Sequence, residues 1–331
     1  MRSHKKATPE HQDGPAQALP TRTAHRPTRL RPPSRGSADL DHAFEVFAHA
    51  EPRLFGIAYR MLGSVADAED IVQEVWLRWQ RHDRASVREP AAFLATTATR
   101  LSINVLQSAR VRHEDYIGPW LPEPIDTSEN PELTVERGET LEIAVLYLLE
   151  RLTPAERAAY VLREAFAYPY DRIAAIVEST EANARQLVSR ARKHLESHRQ
   201  APVAATEQRR FLAAFLEAAQ AGNLAALESL FTEDVISYSD GGGVVHAARF
   251  PIAGRTRVAK FMAAVSEWFW DDIEVTWIEA NGSPALRFDI DGDTFGMFTL
   301  SVSDGGIDRL FWMLNPAKLD AILPLVPSPR S

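Results

Sequence analysis

The segment from Tyr170 to His198 constrains the fold of this chain more than any other. Its apolar spacing predicts a short helix that begins near Asp171 and is interrupted at Glu178-Ser179-Thr180. A second helix follows, in which apolar residues recur at the 3.6-residue period that forms one stripe: Ala184, Leu187, Val188, Ala191 and Leu195. Two short helices joined by a tight turn predict a helix-turn-helix.

The opposite face of the second helix carries side chains that can donate hydrogen bonds to base edges and phosphates in a major groove. They are Asn183, Gln186, Arg190 and Lys193. From Asn183 to Arg199 there are five Lys/Arg and one acid, in a chain whose net charge is −8. A helical hairpin with a solvated outer face would have the same polarity, so this segment by itself leaves both interpretations open.

Composition bounds what the rest of the chain can be. A length of 331 residues suggests two or three domains, and 45% hydrophobic residues is enough to give each a core. The absence of cysteine excludes disulfides and thiolate metal sites, and it predicts a reducing, cytoplasmic location. Every apolar run falls short of the ~20 residues that a membrane span needs. We therefore predict no membrane contact, and no cofactor or metal.

The first third of the chain divides into an extension and a helical domain. Residues 1–38 are rich in Pro, Arg, Thr and Ser and have few large aliphatic side chains, which predicts a disordered extension. Residues 39–112 have a helical pattern, which begins with a predicted hairpin of Leu40–Ala48 and Pro52–Leu62.

Two helices with polar faces are predicted next. The one after Gly63-Ser64 has an apolar side made of Ala68, Ile71, Val72, Val75, Trp76 and Trp79. Its opposite side carries Asp67, Asp70, Gln73 and Glu74. The helix that begins at Pro90 has an apolar side of Phe93, Leu94, Leu101 and Val105, and elsewhere it carries Thr96, Thr97, Arg100, Asn104, Arg110 and Arg112. Aromatic side chains that could stack on unpaired bases are scarce there.

An acidic, proline-rich linker is predicted over residues 113–138. Three prolines in Tyr116–Pro124 exclude a regular helix or a central strand. Because exposure of Tyr116 and Trp120 would leave large apolar surfaces in water, we expect both to pack on another domain. Helices resume over residues 139–200, where the sequence TPAE before an apolar run predicts a capping box.

Residues 205–323 have helices followed by strands, and residues 324–331 form a short end segment. Strands are predicted at Val235–Ser239, Val244–Phe250, Ile273–Glu279, Ala285–Ile290, Thr294–Val302 and Ile307–Leu314. In the fourth of these, apolar residues alternate with Arg287 and Asp289, which predicts a sheet with one solvated face. The result is an α+β fold whose concave interior could hold a small-molecule ligand.

Several segments resemble a known family. AYRMLGSVADAEDIVQEVWLRW resembles the core-polymerase-binding helix of bacterial extracytoplasmic-function sigma factors of the sigma-70 family. LTPAERAAYVLREAFAYPYDRIAAIV and RQLVSRARKHL resemble their second, promoter-binding domain. YIGPWLPEP, DGGG and NPAKL are similar to signatures of a subgroup with a fused SnoaL-like domain of the nuclear-transport-factor-2-like fold. The resemblance covers about residues 41–323.

The resemblance implies a non-enzymatic initiation factor whose partners are core RNA polymerase and promoter DNA. Polymerase would face Asp67, Asp70, Gln73 and Glu74. The −10 element would meet Arg100, Asn104, Arg110 and Arg112, and the −35 element would meet Asn183, Arg185, Gln186, Ser189, Arg190 and Lys193. The C-terminal domain would tune activity through contacts at Tyr116, Trp120, Asp240, Gly241, Gly242, Gly243, Asn315, Pro316, Lys318 and Leu319.

Four positions depart from the family pattern. Glu178 stands where glycine is frequent in the turn, so a left-handed backbone there would cost ~1 kcal/mol. Gln107 replaces a frequent arginine near the end of the −10 helix. Val244 and Ala317 replace an arginine and an acid, so a salt bridge between these two positions is not expected in this chain.

Two other functions are open from the residues. A one-component regulator would combine the helix-turn-helix with a sensor domain, but it leaves the Ala66–Trp79 helix and the acidic linker without a role. A SnoaL-like cyclase or isomerase would use a carboxylate–His pair, for which Asp240, His246 and Asp289 are the candidates. We expect these three instead to serve a turn, a strand and an outward sheet position.

Overall fold

The computed structural model describes residues 38–113, 116–127, 142–196, 203–245 and 247–323, without the side chains at 38–39, 109–113 and 267. The predicted disordered extension up to residue 37, half of the acidic linker (residues 114–115 and 128–138) and the end segment lie outside these ranges. Within them, no helix is long and apolar enough to cross a membrane.

A first helical group contains α1 (Ala38–Leu62), α2 (Val65–Arg81) and α3 (Pro90–His113), with a 3₁₀ turn at Arg84–Ser86. The predicted hairpin is wrong, because α1 runs without a break through Pro52. A proline inside a helix removes one backbone hydrogen bond and costs about 3 kcal/mol. Phe47 and Leu54, on either side of it, are fully buried, and α1 packs along both α2 and α3. This continuous packing stabilises one helix despite the proline.

The two faces of α2 are those that its sequence predicts. Ser64 caps the first turn by accepting a hydrogen bond from the Asp67 amide at 3.2 Å. The predicted apolar residues are all buried. On α3 the prediction needs a correction, because Leu101 and Val105 are only half-buried. The residues that allow α3 to approach α1 closely are small and buried: Ala95, Ala98, Thr99 and Ser102.

A second helical group contains α4 (Ile143–Leu149), α5 (Pro154–Glu164), α6 (Tyr170–Ile176) and α7 (Glu181–Glu196). The predicted capping box is present, since Thr153 Oγ1 accepts from the Glu156 amide at 3.3 Å and the Glu156 carboxylate accepts from the Thr153 amide at 3.2 Å. The helix-turn-helix is also present in α6 and α7, and the predicted apolar stripe of α7 is buried. In the turn between them, Glu178 has the left-handed backbone that its position demands, with φ 54°.

The C-terminal domain contains α8 (Ala205–Gln220), α9 (Leu224–Leu230) and α10 (Arg255–Phe269) and one six-stranded sheet. The strands are β1 (Phe231–Asp240), β2 (Ile252–Ala253), β3 (Glu274–Ala280), β4 (Ser283–Ile290), β5 (Asp293–Ser303) and β6 (Gly306–Met313). Their order is β2-β1-β6-β5-β4-β3, with an antiparallel meander from β3 to β6 and a parallel pairing of β1 with β6.

The predicted strand Val244–Phe250 is wrong. The amides of Val244 and Val245 both donate to the Gly241 carbonyl, at 3.0 and 3.2 Å, and so close a turn. On the side away from β6, β1 pairs with the two residues of β2, which begin after Phe250. The β-branched and aromatic composition of this segment suggested a strand, yet Val244 and Phe250 are among the most exposed apolar side chains of the described residues. The predicted strand position of His246 lies outside the described residues.

The prediction of a solvated sheet face is also wrong. One face packs under α8 and α10 in a cluster with many aromatic side chains, which include Phe215, Phe288, Phe298 and Trp312. The other face carries Tyr238, Met297 and Phe311, and it is covered by Leu121 of the linker, Ile143 and Tyr147 of α4, and Leu319 and Ile322 near the end of the domain. Asp289 is buried too, where it contacts Arg287 and Thr294. Alternation shows that two faces differ, but it does not show what covers the more polar one.

Candidate nucleic-acid interface

The acidic face of α2 is open to solvent. Asp67, Asp70 and Gln73 are exposed, and Glu74 is partly exposed. Glu74 accepts a hydrogen bond from Arg78 Nε at 2.7 Å, one turn further along. The face is thus a row of carboxylates and one amide near the positive end of the helix dipole, a surface suited to a cationic partner.

The outward face of α7 presents the six residues named from the sequence, all of them exposed: Asn183, Arg185, Gln186, Ser189, Arg190 and Lys193. Two of the cations are positioned by acids of the same group. Arg190 Nε lies 3.1 Å from Glu156 Oε1 on α5. Arg185 pairs with Glu181 and stands over the Tyr170 ring at 4.4 Å from its centroid. These contacts hold the guanidinium groups extended along the helix without burying them.

On α3 the structure separates two residues that the sequence placed together. Asn104 is exposed to solvent. The side chain of Arg100 instead extends to the second helical group. Its Nε donates to the Ile176 carbonyl at 3.1 Å, and its Nη2 donates to the Ala175 carbonyl at 2.8 Å. The side chains of Arg110 and Arg112 lie outside the described residues.

A cleft between α2 and α3 was missed from the sequence. It has a volume of about 350 Å³ and is lined by Arg78, Arg81, His82, Phe93 and Thr97. The rings of His82 and Phe93 pack against each other with 4.4 Å between centroids and 33° between their planes. Phe93 is an isolated aromatic residue on the predicted α3, and it meets His82, the residue after α2, only in the folded structure.

The linker and the C-terminal domain meet at a buried carboxylate, Asp240. One of its oxygens accepts from the Tyr116 hydroxyl, and the other accepts from the Leu121 amide at 2.8 Å. Lys318 Nζ donates to the same carboxylate at 2.7 Å and to the Leu121 carbonyl at 2.5 Å. Asn315 Nδ2 donates to the Tyr116 hydroxyl at 2.9 Å. The three sequence signatures thus form one polar network.

Burial sets the chemistry of this network. Asp240 has no exposed surface and Lys318 is 7% exposed. Loss of water lowers the pKa of the Lys318 ammonium below its ordinary value, while the neighbouring Asp240 carboxylate acts in the opposite direction. Burial together with Asp240 raises the pKa of the Tyr116 phenol. Lys318 Nζ also stands 4.0 Å from the centre of the Trp120 ring, so the cation is enclosed by aromatic faces.

The glycines of this region are required by close approach. Gly242 has φ 61°, and a Cβ added there would lie 2.5 Å from Asn315 Cγ. Gly63, between α1 and α2, has φ 64°, and its Cβ would lie 2.7 Å from the Trp120 ring. Val244 and Ala317 cannot form a salt bridge, and the buried ion pair of this region is Asp240–Lys318.

Asn281 is a second residue that sequence reasoning missed. It is 1% exposed in the β3–β4 turn, where it has φ 57°. Its Nδ2 donates to Tyr59 Oη on α1 at 2.7 Å, and its Oδ1 accepts from the Ile125 amide of the linker at 3.0 Å. An Asn-Gly pair is an ordinary signal of a hairpin turn. The sequence therefore indicated the turn but not the contacts of the Asn281 side chain with α1 and the linker.

Comparison with known proteins identifies the family. Residues 46–112 match sigma-70 region 2, and residues 142–195 match sigma-70 region 4. The ECF RNA polymerase sigma factor SigJ of Mycobacterium tuberculosis is 37% identical over 82% of this chain and 91% of its own length. SigI of the same species, described as a probable ECF RNA polymerase sigma factor, is 30% identical over 81% of this chain and 92% of its own. The chain belongs to the ECF RNA polymerase sigma factors.

A solved structure agrees with this sigma factor over most of the chain. The crystal structure of the M. tuberculosis extracytoplasmic function sigma factor SigJ has a TM-score of 0.69 at 31% identity, and it covers 85% of this chain and 100% of the other. The expected fold class, two helical domains followed by an α+β SnoaL-like domain, is confirmed. The helices α1 to α3 match sigma-70 region 2. This match favours a sigma factor over a one-component regulator, which would leave these helices without a role.

In this sigma factor, both carboxylates considered for catalysis form ion pairs with neighbouring cations. Asp240 holds the network with Lys318, and Asp289 pairs with Arg287 Nε at 3.1 Å and accepts from Thr294 Oγ1 at 2.5 Å. Their strands, β1 and β4, are separated by β6 and β5, which at ~4.8 Å per strand puts them about 14 Å apart. His246 lies outside the described residues.

Proposed function

We propose that this sigma factor binds core RNA polymerase through the acidic face of α2 and reads promoter DNA through α3 and α7. The observation that supports this proposal most directly is the separation of charge. Acids are exposed on α2 of region 2, and cations and amides are exposed on α7 of region 4. Phosphate contacts give α7 its affinity, and Gln186 and Asn183 suit adenine edges. We expect the protein to work in the cytoplasm.

The cleft beside α3 supports recognition of an unpaired base in the melted −10 element. The adjacent rings of His82 and Phe93 offer apolar surface for a base, and Arg78 and Arg81 offer positive charge to its phosphate. Asn104 lies on the same helix and is exposed. Proteins that bind single strands combine aromatic platforms with basic grooves in this way.

We further propose that the C-terminal domain regulates and does not catalyse. Its sheet covers the linker and the first helix of region 4, and the ring of Tyr147 on α4 packs against that of Tyr238 on β1, with 4.7 Å between centroids. A conformational change in this domain would therefore alter the packing of the segment that joins regions 2 and 4. Binding of a small molecule stays a prediction. The ring centroids of Phe298 and Trp312 are 4.2 Å apart, so a ligand would have to fit beside packed aromatic side chains.

Transcription in vitro tests the assignment of the polymerase surface. With purified core enzyme, Asp70→Lys should lower promoter-dependent transcripts and pull-down of core at least fivefold, because it reverses a charge on the exposed α2 face. Asp304→Lys, an equal change at an exposed turn of the C-terminal domain, is the control. Equal behaviour of the two variants would move polymerase binding away from α2.

Asn281→Gly tests the regulatory role without touching either proposed nucleic-acid surface. Glycine keeps the left-handed turn and removes only the side chain that bridges Tyr59 and Ile125. Asp291→Gly makes the same change at the next hairpin, where Asp291 has φ 54° and is exposed. We expect transcript yield to change at least twofold for Asn281→Gly alone. Unchanged yield in both would contradict regulation through this junction.

A further inference from the structure

Arg100, on the proposed −10 helix, is engaged with the proposed −35 unit. Its guanidinium donates to the Ala175 and Ile176 carbonyls, which are the last two of α6. Carbonyls at a helix C-terminus have no partner within the helix, and the helix dipole favours a cation there. Arg100 therefore caps the first helix of the helix-turn-helix from the other helical group.

Glu178 completes this contact at a backbone cost. Its Oε1 lies 3.3 Å from Arg100 Nη2, and its φ of 54° is a conformation that glycine would adopt without strain. A strained non-glycine residue is a reason to look for a function of its side chain. Here the side chain supplies the carboxylate that faces Arg100.

A second ion pair crosses the same boundary. Glu89, just before α3, accepts from Arg172 Nη2 of α6 at 2.7 and 2.5 Å through its two oxygens. Both pairs are largely exposed, so each is weak enough to exchange its partner for a phosphate.

The distance between the two promoter elements decides what these contacts mean. From Glu178 to Glu181 the chain spans at most ~11 Å, and from Glu181 to Lys193 the helix rises ~18 Å. With Arg100 in contact with Glu178, both reading surfaces lie within roughly 40 Å of each other, long side chains included. By their numbering, the −35 and −10 elements lie about 25 base pairs apart, which at 3.4 Å per pair is ~85 Å. Duplex DNA is too stiff over this length to close that gap at small cost.

We infer that Arg100 and Glu178 form a latch that holds the −10 helix against the −35 helix-turn-helix, and that this latch opens before both promoter elements are bound. The inference rests on the proposed promoter roles of α3 and α7. In the latched form, Nε and Nη2 of Arg100 are committed to α6, and the same donors are then unavailable to −10 DNA. Opening exchanges two carbonyls and a carboxylate for phosphate or base acceptors.

Glu178→Gln provides the direct test, with Asp171→Asn as its control. Both variants remove one exposed acid from the α6 region, but Asp171 does not contact Arg100. The chain has no cysteine, so dyes can be placed at Ala85→Cys and Glu196→Cys, two exposed positions on the two helical groups. In the full-length protein without DNA, single-molecule energy transfer should show a two- to fivefold rise in the open fraction for Glu178→Gln and no rise for Asp171→Asn.

DNA binding separates failure of the latch from failure of the proposed function. Glu178→Gln should bind a −10 single-strand oligonucleotide two- to fivefold more tightly than Asp171→Asn does, since apparent affinity scales with the competent fraction. Both should bind a −35 duplex equally. If Glu178→Gln matches Asp171→Asn in energy transfer and in −10 affinity, the latch is ruled out. If the wild-type protein binds no −35 duplex, the promoter role of α7 fails instead, whatever the energy transfer shows.

Discussion

At the scale of single residues, this sigma factor depends on backbone positions that admit no side chain. The DGGG turn brings Gly242 against Asn315 so closely that the polar network around Asp240 could not form over a larger residue. The signature is therefore a steric requirement of this turn.

Gly242→Ala should destabilise the protein by more than backbone strain alone. A left-handed alanine costs ~1 kcal/mol, and the added Cβ at 2.5 Å from Asn315 must also displace that side chain. Gly292→Ala is the matched control, because Gly292 has φ 86° and nothing within 4 Å of its Cβ position. Urea unfolding should give a loss at least ~1 kcal/mol greater for Gly242→Ala. Equal losses would mean that Asn315 yields without cost.

Tyr238 predicts how stability responds to alkaline pH. Burial, followed by the neighbouring Tyr147, raises the pKa of Tyr238 to about 12. Its ordinary value is ~10, so its contribution is fully present below pH ~10 and is lost as pH rises toward 12. Between these values the free energy of unfolding of the wild type should fall more steeply than that of Tyr238→Phe, by up to ~1.4 kcal/mol per pH unit. Parallel curves from urea unfolding would contradict the shift.

At the scale of elements, α7 is the proposed recognition helix, and acids on α5 contact two of its cations. Arg190 leans on Glu156, and Arg192 lies beside Glu164 at 2.7 Å. The two arginines carry the same charge but only Arg190 belongs to the proposed reading face.

Arg190→Ala should weaken binding of a −35 duplex by ~1–3 kcal/mol if the guanidinium reads a base, and it should relax sequence preference at that position. A phosphate contact would instead lower affinity uniformly for all sequences. Arg192→Ala is the control, since it removes an equal charge from the same helix. Fluorescence anisotropy at two salt concentrations would measure both, and equal losses would take Arg190 out of the interface.

At the scale of the whole molecule, the C-terminal domain is a structural cover as well as a proposed regulator. Leu121, Ile143 and Tyr147 bury their side chains against its sheet. Removal of the domain therefore does more than release a regulator, because it leaves an apolar face on the linker and region 4.

A chain truncated at Ala204 should bind a hydrophobic dye such as ANS and self-associate. The expected cause is the uncovered surface of α4, so Tyr147→Lys in the truncated chain should reduce both effects. Dye binding and light scattering against the full-length protein would measure this. A truncated chain that stays monomeric and does not bind the dye would show that α4 repacks within region 4.

The sequence by itself determined the parts whose signals are local. The buried stripes of α2 and α7, the capping box at Thr153 and the antiparallel meander follow from periodicity, caps and turns, which act over a few residues. The resemblance to sigma factors also rested on contiguous motifs. Local signals failed where packing overrode them: α1 continues through Pro52, and Val244–Phe250 forms no strand.

Only the tertiary structure decided which surfaces meet. The linker and α4 cover the sheet face that alternation made look solvated, Asn281 bridges to Tyr59 across 222 residues, and Arg100 caps a helix of the other helical group. These contacts join residues far apart in the chain. No short-range pattern encodes them, because each depends on how whole elements pack and not on the neighbours of the residue in sequence.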